Sequence, residues 1–322
     1  VTRRRCLAAL VAVVGFATPA VGQSRVGPEA FDPAAVVRGI AIDPATCADL
    51  VADDTAVRVT AGGRAFCLRY YAAGLSADGN GTVAVWMNGD VLGPSGNDAD
   101  RHQKGIGPAT LVAQVEALSR RFGVPVIFLG RPGSYGSEGR HHRMRGRPIE
   151  AQAIAAALDA LKAKWRIRSF VLAGHSGGGT LVAEMLTRRT DIGCAVVSSG
   201  ASAHRAYLET RGLIRPGAAT DRFDPLTSVD RIPKDANRRI FVLGDPRETN
   251  VPFATQKLWA EAVAARGHAV TVVPLEKATD ARHHGLVDAA ESAMGACAAG
   301  RPTAAIVETL RAMPDQSERI TN

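Results

Sequence analysis

Residues 169–188 read SFVLAGHSGGGTLVAEMLTR, running from Ser169 to Arg188. SFVLA is a short continuous apolar run of strand length, and TLVAEMLTR, beginning at Thr180, reads as a helix. Between them Gly174, His175, Ser176, Gly177 and Gly178 match G-x-S-x-G. With Gly at about a tenth and Ser at about a twentieth of positions, that string would arise by chance roughly once in six such chains, so the context must carry the meaning. The context puts Ser176 on a sharp strand-to-helix turn. Glycines leave room there for a strained backbone, and the N–H groups opening the helix point to where an oxyanion would develop.

Working outward, the same strand–helix alternation fills the chain from residue 81. Val83–Met87, Val124–Leu129, Phe170–Ala173, Cys194–Ser198, Ile240–Leu243 and Val270–Leu275 are apolar runs without period-2 alternation, as expected of strands buried on both faces. Leu111, Val115, Leu118 and Phe122, and again Ile154, Leu158, Leu161 and Trp165, are spaced as one stripe of a helix. Val57–Thr60 and Phe66–Tyr71 flank Gly62-Gly63 and predict a hairpin. The expected fold class is α/β: a mostly parallel central sheet with helices on both faces and an N-terminal antiparallel hairpin. Residues 23–322 are expected to form one domain. It has an irregular lead-in over 23–45, a possible small lid over 201–237, where Pro216, Pro225 and Pro233 interrupt any period, and a C-terminal helix near Thr303–Met313.

A serine hydroxyl is a weak nucleophile at neutral pH and needs a base that is itself oriented by an acid. Both occur after Ser176 in the chain. Asp245 and Glu248 follow the strand at Arg239–Leu243, and His283-His284-Gly285 follows the strand ending near Leu275. These residues resemble the alpha/beta-hydrolase superfamily. The later half is similar to the catalytic domain of the prolyl oligopeptidase and dipeptidyl peptidase (S9-like) group, and the resemblance covers about residues 80–300. It implies a catalytic histidine followed by glycine, which is His284, and an acid three positions before a loop-closing valine, which is Glu248 before Val251. The group usually carries aspartate, so Asp245, at the end of the strand, remains the other candidate.

The resemblance also implies an oxyanion hole formed by the N–H of Gly177 with that of Asp90 or Gly89. Here Asn88-Gly89-Asp90 stands where many members carry His-Gly. Tyr135, in the Gly-rich loop Arg131–Gly136, either touches substrate or merely packs. His175 is expected to pack beside the serine. His141, His142 and His283 read as solvated or locally bonded, and neither a metal nor a cofactor is expected.

The 322 residues carry 39 Lys+Arg against 31 Asp+Glu, a net charge of +8. Arg3, Arg4 and Arg5 precede the apolar run Cys6–Ala17 and the small residues Ala20-Val21-Gly22, so residues 1–22 read as a signal peptide, with an uncleaved N-terminal anchor as the alternative. Setting that leader aside leaves 36 basic against 31 acidic residues, or +5. RHHRMRGR, residues 140–147, is the one dense basic cluster, and no basic helix with interleaved aromatics suggests a nucleic-acid partner. Cys47 with Cys67 would close a short loop around the hairpin, which leaves Cys194 with Cys297; a free, buried Cys194 is the alternative.

The expected protein is therefore a periplasmic or secreted serine hydrolase, carboxylesterase-like, without stable membrane insertion of the mature chain. It would act on a small ester or peptide through an acyl-enzyme on Ser176. An S9-like serine peptidase and a non-catalytic binding protein on the same fold are the alternatives, and the sequence leaves the oligomeric state open.

Overall fold

Val83, Val85 and Met87 turn to one side of their strand, Ala84 and Trp86 to the other, and all five are buried. A strand that is apolar on both faces needs cover on both faces. The computed structural model describes residues 30–93, 96 and 105–317, and the expected leader at residues 1–22 lies outside them.

Eight strands form one sheet among these residues: β1 (Ala56–Ala61), β2 (Arg64–Ala73), β3 (Asn80–Met87), β4 (Val126–Leu129), β5 (Ile167–His175), β6 (Ile192–Ser198), β7 (Arg239–Gly244) and β8 (Ala269–Pro274). Their order is β1-β2-β4-β3-β5-β6-β7-β8. β1 pairs antiparallel with β2 from Ala56↔Arg69 to Ala61↔Arg64, and β2 pairs antiparallel with β4. From β4 to β8 every pairing is parallel. The hairpin thus forms one edge of a sheet that is parallel elsewhere, and Gly62 and Gly63 close its turn at φ 55° and 74°.

The helices are α1 (Pro33–Arg38), α2 (Pro44–Ala52), α3 (Pro108–Phe122), α4 (His141–Met144), α5 (Pro148–Trp165), α6 (Gly177–Leu186), α7 (His204–Thr210), α8 (Phe253–Ala265), α9 (Val287–Ala298) and α10 (Thr303–Ala312). One face of the sheet is covered by α5, α6 and α8 through Ile154, Leu158, Leu181, Met185, Trp259 and Val263. The opposite face is covered by α3, α9 and α10 through Leu111, Val115, Ala293, Met294, Ile306 and Leu310. Both helical stripes read from the sequence point into these cores.

Two segments differ from the expectation of irregular chain. Residues 23–45 contain α1 and the start of α2, each opened by an Asp-Pro pair. Asp32 accepts from the N–H of Ala34, Asp43 accepts from Ala45 and Thr46, and Pro33 and Pro44 occupy the first helical turn. Within 201–237 lie α7 and a 3-10 turn, Pro225–Arg231, capped by Asp224. Cys47 is bonded to Cys67 and Cys194 to Cys297, so Cys194 is no free thiol. Among the described residues no helix is long and apolar enough to cross a membrane.

Candidate active site

The parallel strands place their following loops at one rim of the sheet, and five of those loops carry the groups of interest. The central one is the turn from β5 into α6. Ser176 holds φ 53° and ψ −122°, a backbone conformation that a serine adopts only under constraint. Its N–H donates to Ser198 O at 2.8 Å, and its own carbonyl accepts from Thr180 N at 3.0 Å, so both sides of the peptide are pinned. A Cβ on Gly178 would come within 2.1 Å of Met87 O, which is why the turn tolerates no side chain there. Gly177 opens α6, and the N–H groups of the first helical turn have no acceptor inside the helix.

The loop after β8 brings His284 against His175. Its ring centroid lies 4.6 Å from that of His175, the residue before Ser176, and its carbonyl accepts from the Ser199 hydroxyl at 3.2 Å. Asp280 shapes this loop. One carboxylate oxygen accepts the N–H groups of His284 and Gly285 at 2.8 and 2.7 Å, and the other accepts that of Arg282. Burial works to raise the Asp280 pKa, but those backbone bonds and the nearby His284 hold it below the usual carboxylate value. The sequence offered a signal for it, an Asp four residues before the histidine in a loop, and that signal was missed.

The loop after β7 separates the two candidate acids. His284 Nδ1 donates to Glu248 Oε1 in a short hydrogen bond, and both side chains are buried. Val251 N donates to the same Glu248 oxygen at 3.0 Å, and Gln256 Nε2 to the other at 2.9 Å, so the carboxylate is fixed before the imidazole meets it. Gln256, on α8, was not singled out from the sequence. Asp245 faces elsewhere: it takes the N–H, Nε and Nη2 of Arg247 and the N–H of Ala278. Burial alone would raise its pKa, but these bonds overcome that and lower it. Asp245 braces the loop against Arg247, and the expectation that it rivals Glu248 as the acid at His284 is corrected.

His175 is buried, with Nδ1 3.3 Å from Ser198 Oγ. Burial, and then the charge of His284, push its pKa well down, so the ring stays neutral and packs. Among the described residues the Ser176 hydroxyl makes no hydrogen bond, whereas the His284 imidazole is bonded to Glu248 through Nδ1.

The loop after β3 lies across Gly177. A Cβ on Gly177 would stand 2.2 Å from Asp90 Oδ1, and one on Gly89 would stand 3.2 Å from the Ser176 Cβ. The Gly89 N–H is taken by Asn88 Oδ1 at 3.0 Å, so of the two expected donors beside Gly177 the Asp90 N–H is the better placed to serve. What the sequence did not reveal is that the Asp90 carboxylate meets two arginines. Arg131 Nη1 lies 2.9 Å from Oδ1 and Arg145 Nη1 3.2 Å from Oδ2. Arg131 also donates to Asn88 O, and Arg145 donates to Leu92 O and Gly93 O. Arg131 is in turn held by the fully buried Glu150 at 2.8 Å. Burial would raise the Asp90 pKa, yet the positive charge of Arg131, with His141 and Arg145, keeps it ionised far below the usual range. Together the two guanidiniums clamp the whole turn 88–93.

Tyr135 is 2% exposed, at φ 50°, with its ring against Phe128 and Phe31. Asn88 Nδ2 donates to its hydroxyl, and Tyr71 donates to its carbonyl at 2.9 Å. The ring packs, and only the hydroxyl reaches the loop over Gly177. Of the two readings of Tyr135, contact with substrate or packing, that burial favours packing. Among the described residues no group of three or more His, Cys, Asp or Glu side chains is arranged to hold a metal ion.

No protein-family model and no curated protein matches the chain. Among solved structures it is similar to puromycin hydrolase, with 21% identity over 77% of this chain and 39% of that one at a TM-score of 0.52. Prolyl oligopeptidase B from Galerina marginata is similar at 13% identity over 76% and 36%, TM-score 0.52. A puromycin-hydrolysing peptidase of Mycobacterium tuberculosis is similar at 20% identity over 79% and 38%, TM-score 0.50. The chain has the alpha/beta-hydrolase fold. It spans less than two fifths of the length of each of these three proteins. Within the alpha/beta-hydrolase fold the strand ends β5, β7 and β8 are where Ser176, Glu248 and His284 stand here, in that chain order.

Proposed function

We propose that this protein is a serine hydrolase that cleaves a small ester, or an amide, through an acyl-enzyme on Ser176. The single observation that carries the reading is the His284–Glu248 hydrogen bond beside a serine held at positive φ at the head of α6. Ser176 Oγ attacks the carbonyl carbon while His284 Nε2 takes its proton. The oxyanion that forms is met by the Gly177 N–H, with that of Asp90 as the second donor. Glu248 stabilises the imidazolium, which then gives its proton to the leaving alkoxide or amine. Water, deprotonated by His284, attacks the acyl carbon, and the tetrahedral intermediate collapses to free acid and Ser176.

The carboxylesterase-like form of this reading is preferred, and a peptidase is the second reading. The second is favoured by the likeness to structures described as a puromycin hydrolase and a prolyl oligopeptidase. Fold likeness transfers function poorly, so the substrate class rests on experiment. The three arginines before the apolar run Cys6–Ala17, together with the two disulfides, support a periplasmic or secreted location.

The deciding assay is a chain-length series of p-nitrophenyl esters run beside aminoacyl and prolyl amides, on wild type and Ser176→Ala. Ester turnover that disappears in Ser176→Ala supports the first form, and amide turnover with the same dependence supports the second. Full turnover by Ser176→Ala would contradict both.

A further inference from the structure

Away from Ser176 a cavity of about 300 Å³ opens between the C-terminal end of α6, the start of α7 and the 3-10 turn Pro225–Arg231. Arg188, Arg205, Arg222 and Arg231 line it together with two acids, Glu184 and Asp224. Both acids are engaged. Glu184 is paired with Arg188 at 2.7 Å. Asp224 spends its oxygens on the N–H groups of His204, Arg205 and Leu226. Nearby acids are also spoken for, since Asp221 pairs with Arg147 and Asp230 with Arg266. Among the described residues Arg205, Arg222 and Arg231 therefore face one cavity with no ion-pair partner.

Four arginines against the two acids leave a net charge of +2 around one space, which favours an anion there. The positive field extends beyond the cavity. The Arg222 side chain lies 3.3 Å from where a Cβ on Gly146 would stand, which joins it to the basic run 140–147. Burial, then Arg145, Arg143 and Arg222, depress the pKa of His142 in that run. Ser228 also lines the cavity, while the Thr227 hydroxyl beside it is taken by Asp224 O at 2.8 Å. One guanidinium fork satisfies a planar carboxylate, whereas several forks converging from different elements suit a tetrahedral, doubly charged group.

We propose that this cavity is a binding site for a phosphate monoester group, held by Arg205, Arg222 and Arg231. The group belongs either to a small soluble molecule or to a lipid headgroup. Its occupancy would tie α7 and the 3-10 turn to α6, the helix that follows Ser176.

The test reads binding and no turnover, so it stands apart from the hydrolase reading. Calorimetric titration of the intact protein with glycerol 3-phosphate, inorganic phosphate and neutral glycerol is paired with flotation on vesicles of phosphatidylcholine with and without phosphatidic acid, whose headgroup is a phosphate monoester. The expected result is saturable binding of the phosphate-bearing probe at one site per chain, none of glycerol, and at least tenfold weaker binding in Arg222→Gln and in Arg231→Gln. Arg311→Gln, an exposed arginine at the end of α10, keeps full affinity. Binding of the soluble probes assigns a soluble ligand. Flotation confined to the anionic vesicles, with the same dependence on the two variants, assigns a headgroup. Absence of both, or an equal loss in Arg311→Gln, would overturn the proposal.

Discussion

Glu248 receives the Nδ1–H of His284, while Asp245, three residues earlier and as deeply buried, faces Arg247. The two carboxylates have exchanged the duties that proximity to the strand end would suggest. Glu248→Gln removes the charge that stabilises the imidazolium, and kcat should fall by about 10³- to 10⁴-fold. Asp245→Asn breaks the Arg247 brace without touching the imidazole. It should leave kcat within about threefold and lower stability by about 1–3 kcal/mol. Steady-state kinetics and urea unfolding of both variants separate the roles, and equal kinetic losses would contradict the assignment.

The Arg131–Asp90–Arg145 clamp fixes the turn whose N–H the proposed mechanism offers to the oxyanion. Lysine at position 131 keeps one charge but cannot reach Asn88 O, Asp90 and Glu150 together. Arg131→Lys should lower kcat by about 10- to 100-fold, less than the loss of an oxyanion donor itself, with KM nearly unchanged. A boronic-acid inhibitor should weaken in parallel with kcat while a ground-state product inhibitor does not. A change confined to KM would contradict the positioning role.

His204 is buried with Nε2 unpartnered by any described residue. Burial first, and then Arg222, push its pKa from 6.5 down to about 4. The unfolded chain therefore takes up a proton near pH 6.5 that the folded chain refuses until about pH 4. Stability should be complete above pH 6.5 and fall on acidification towards pH 4, by up to about 3 kcal/mol from this residue. His175 contributes with the same sign. Urea midpoints measured at pH 7.5 and 4.5 should differ less in His204→Gln than in wild type, and an equal drop would contradict the account.

The two disulfides close chain segments of very different length, with partners 20 residues apart for Cys47–Cys67 and 103 apart for Cys194–Cys297. Loop-closure entropy gives about 3 kcal/mol for a short loop and about 5 kcal/mol for one near 100 residues. Removing the longer bridge as the Cys194→Ala, Cys297→Ala double variant should therefore cost more stability than removing the shorter as Cys47→Ala, Cys67→Ala. Denaturant unfolding of the two variants checks the order.

The strands were legible because a sheet covered on both faces demands uninterrupted apolar runs, and Val83–Met87 and Cys194–Ser198 are runs of strand length. Ser176 was legible because its turn needs glycines on both sides at fixed spacing. The acid was not, since Asp245 and Glu248 share one loop and only their partners, Arg247 and Gln256, settle which way each points. The clamp on Asp90 was hidden for a related reason: Arg131 and Arg145 lie far from it along the chain, and nothing local in Asn88-Gly89-Asp90 signals an ion pair. The short helices α1 and α2 were missed despite their Asp-Pro starts. Their helical runs are too brief to show a period, so only the caps could have announced them.

In the proposed mechanism His284 makes the hydroxyl at position 176 nucleophilic. Intact-mass and peptide mapping after exposure to a fluorophosphonate tests it most directly. One adduct per chain is expected, located on Ser176, absent in Ser176→Ala and formed at least a hundredfold more slowly in His284→Ala. A folded wild-type protein that takes up no label, or labels at another residue, would contradict it.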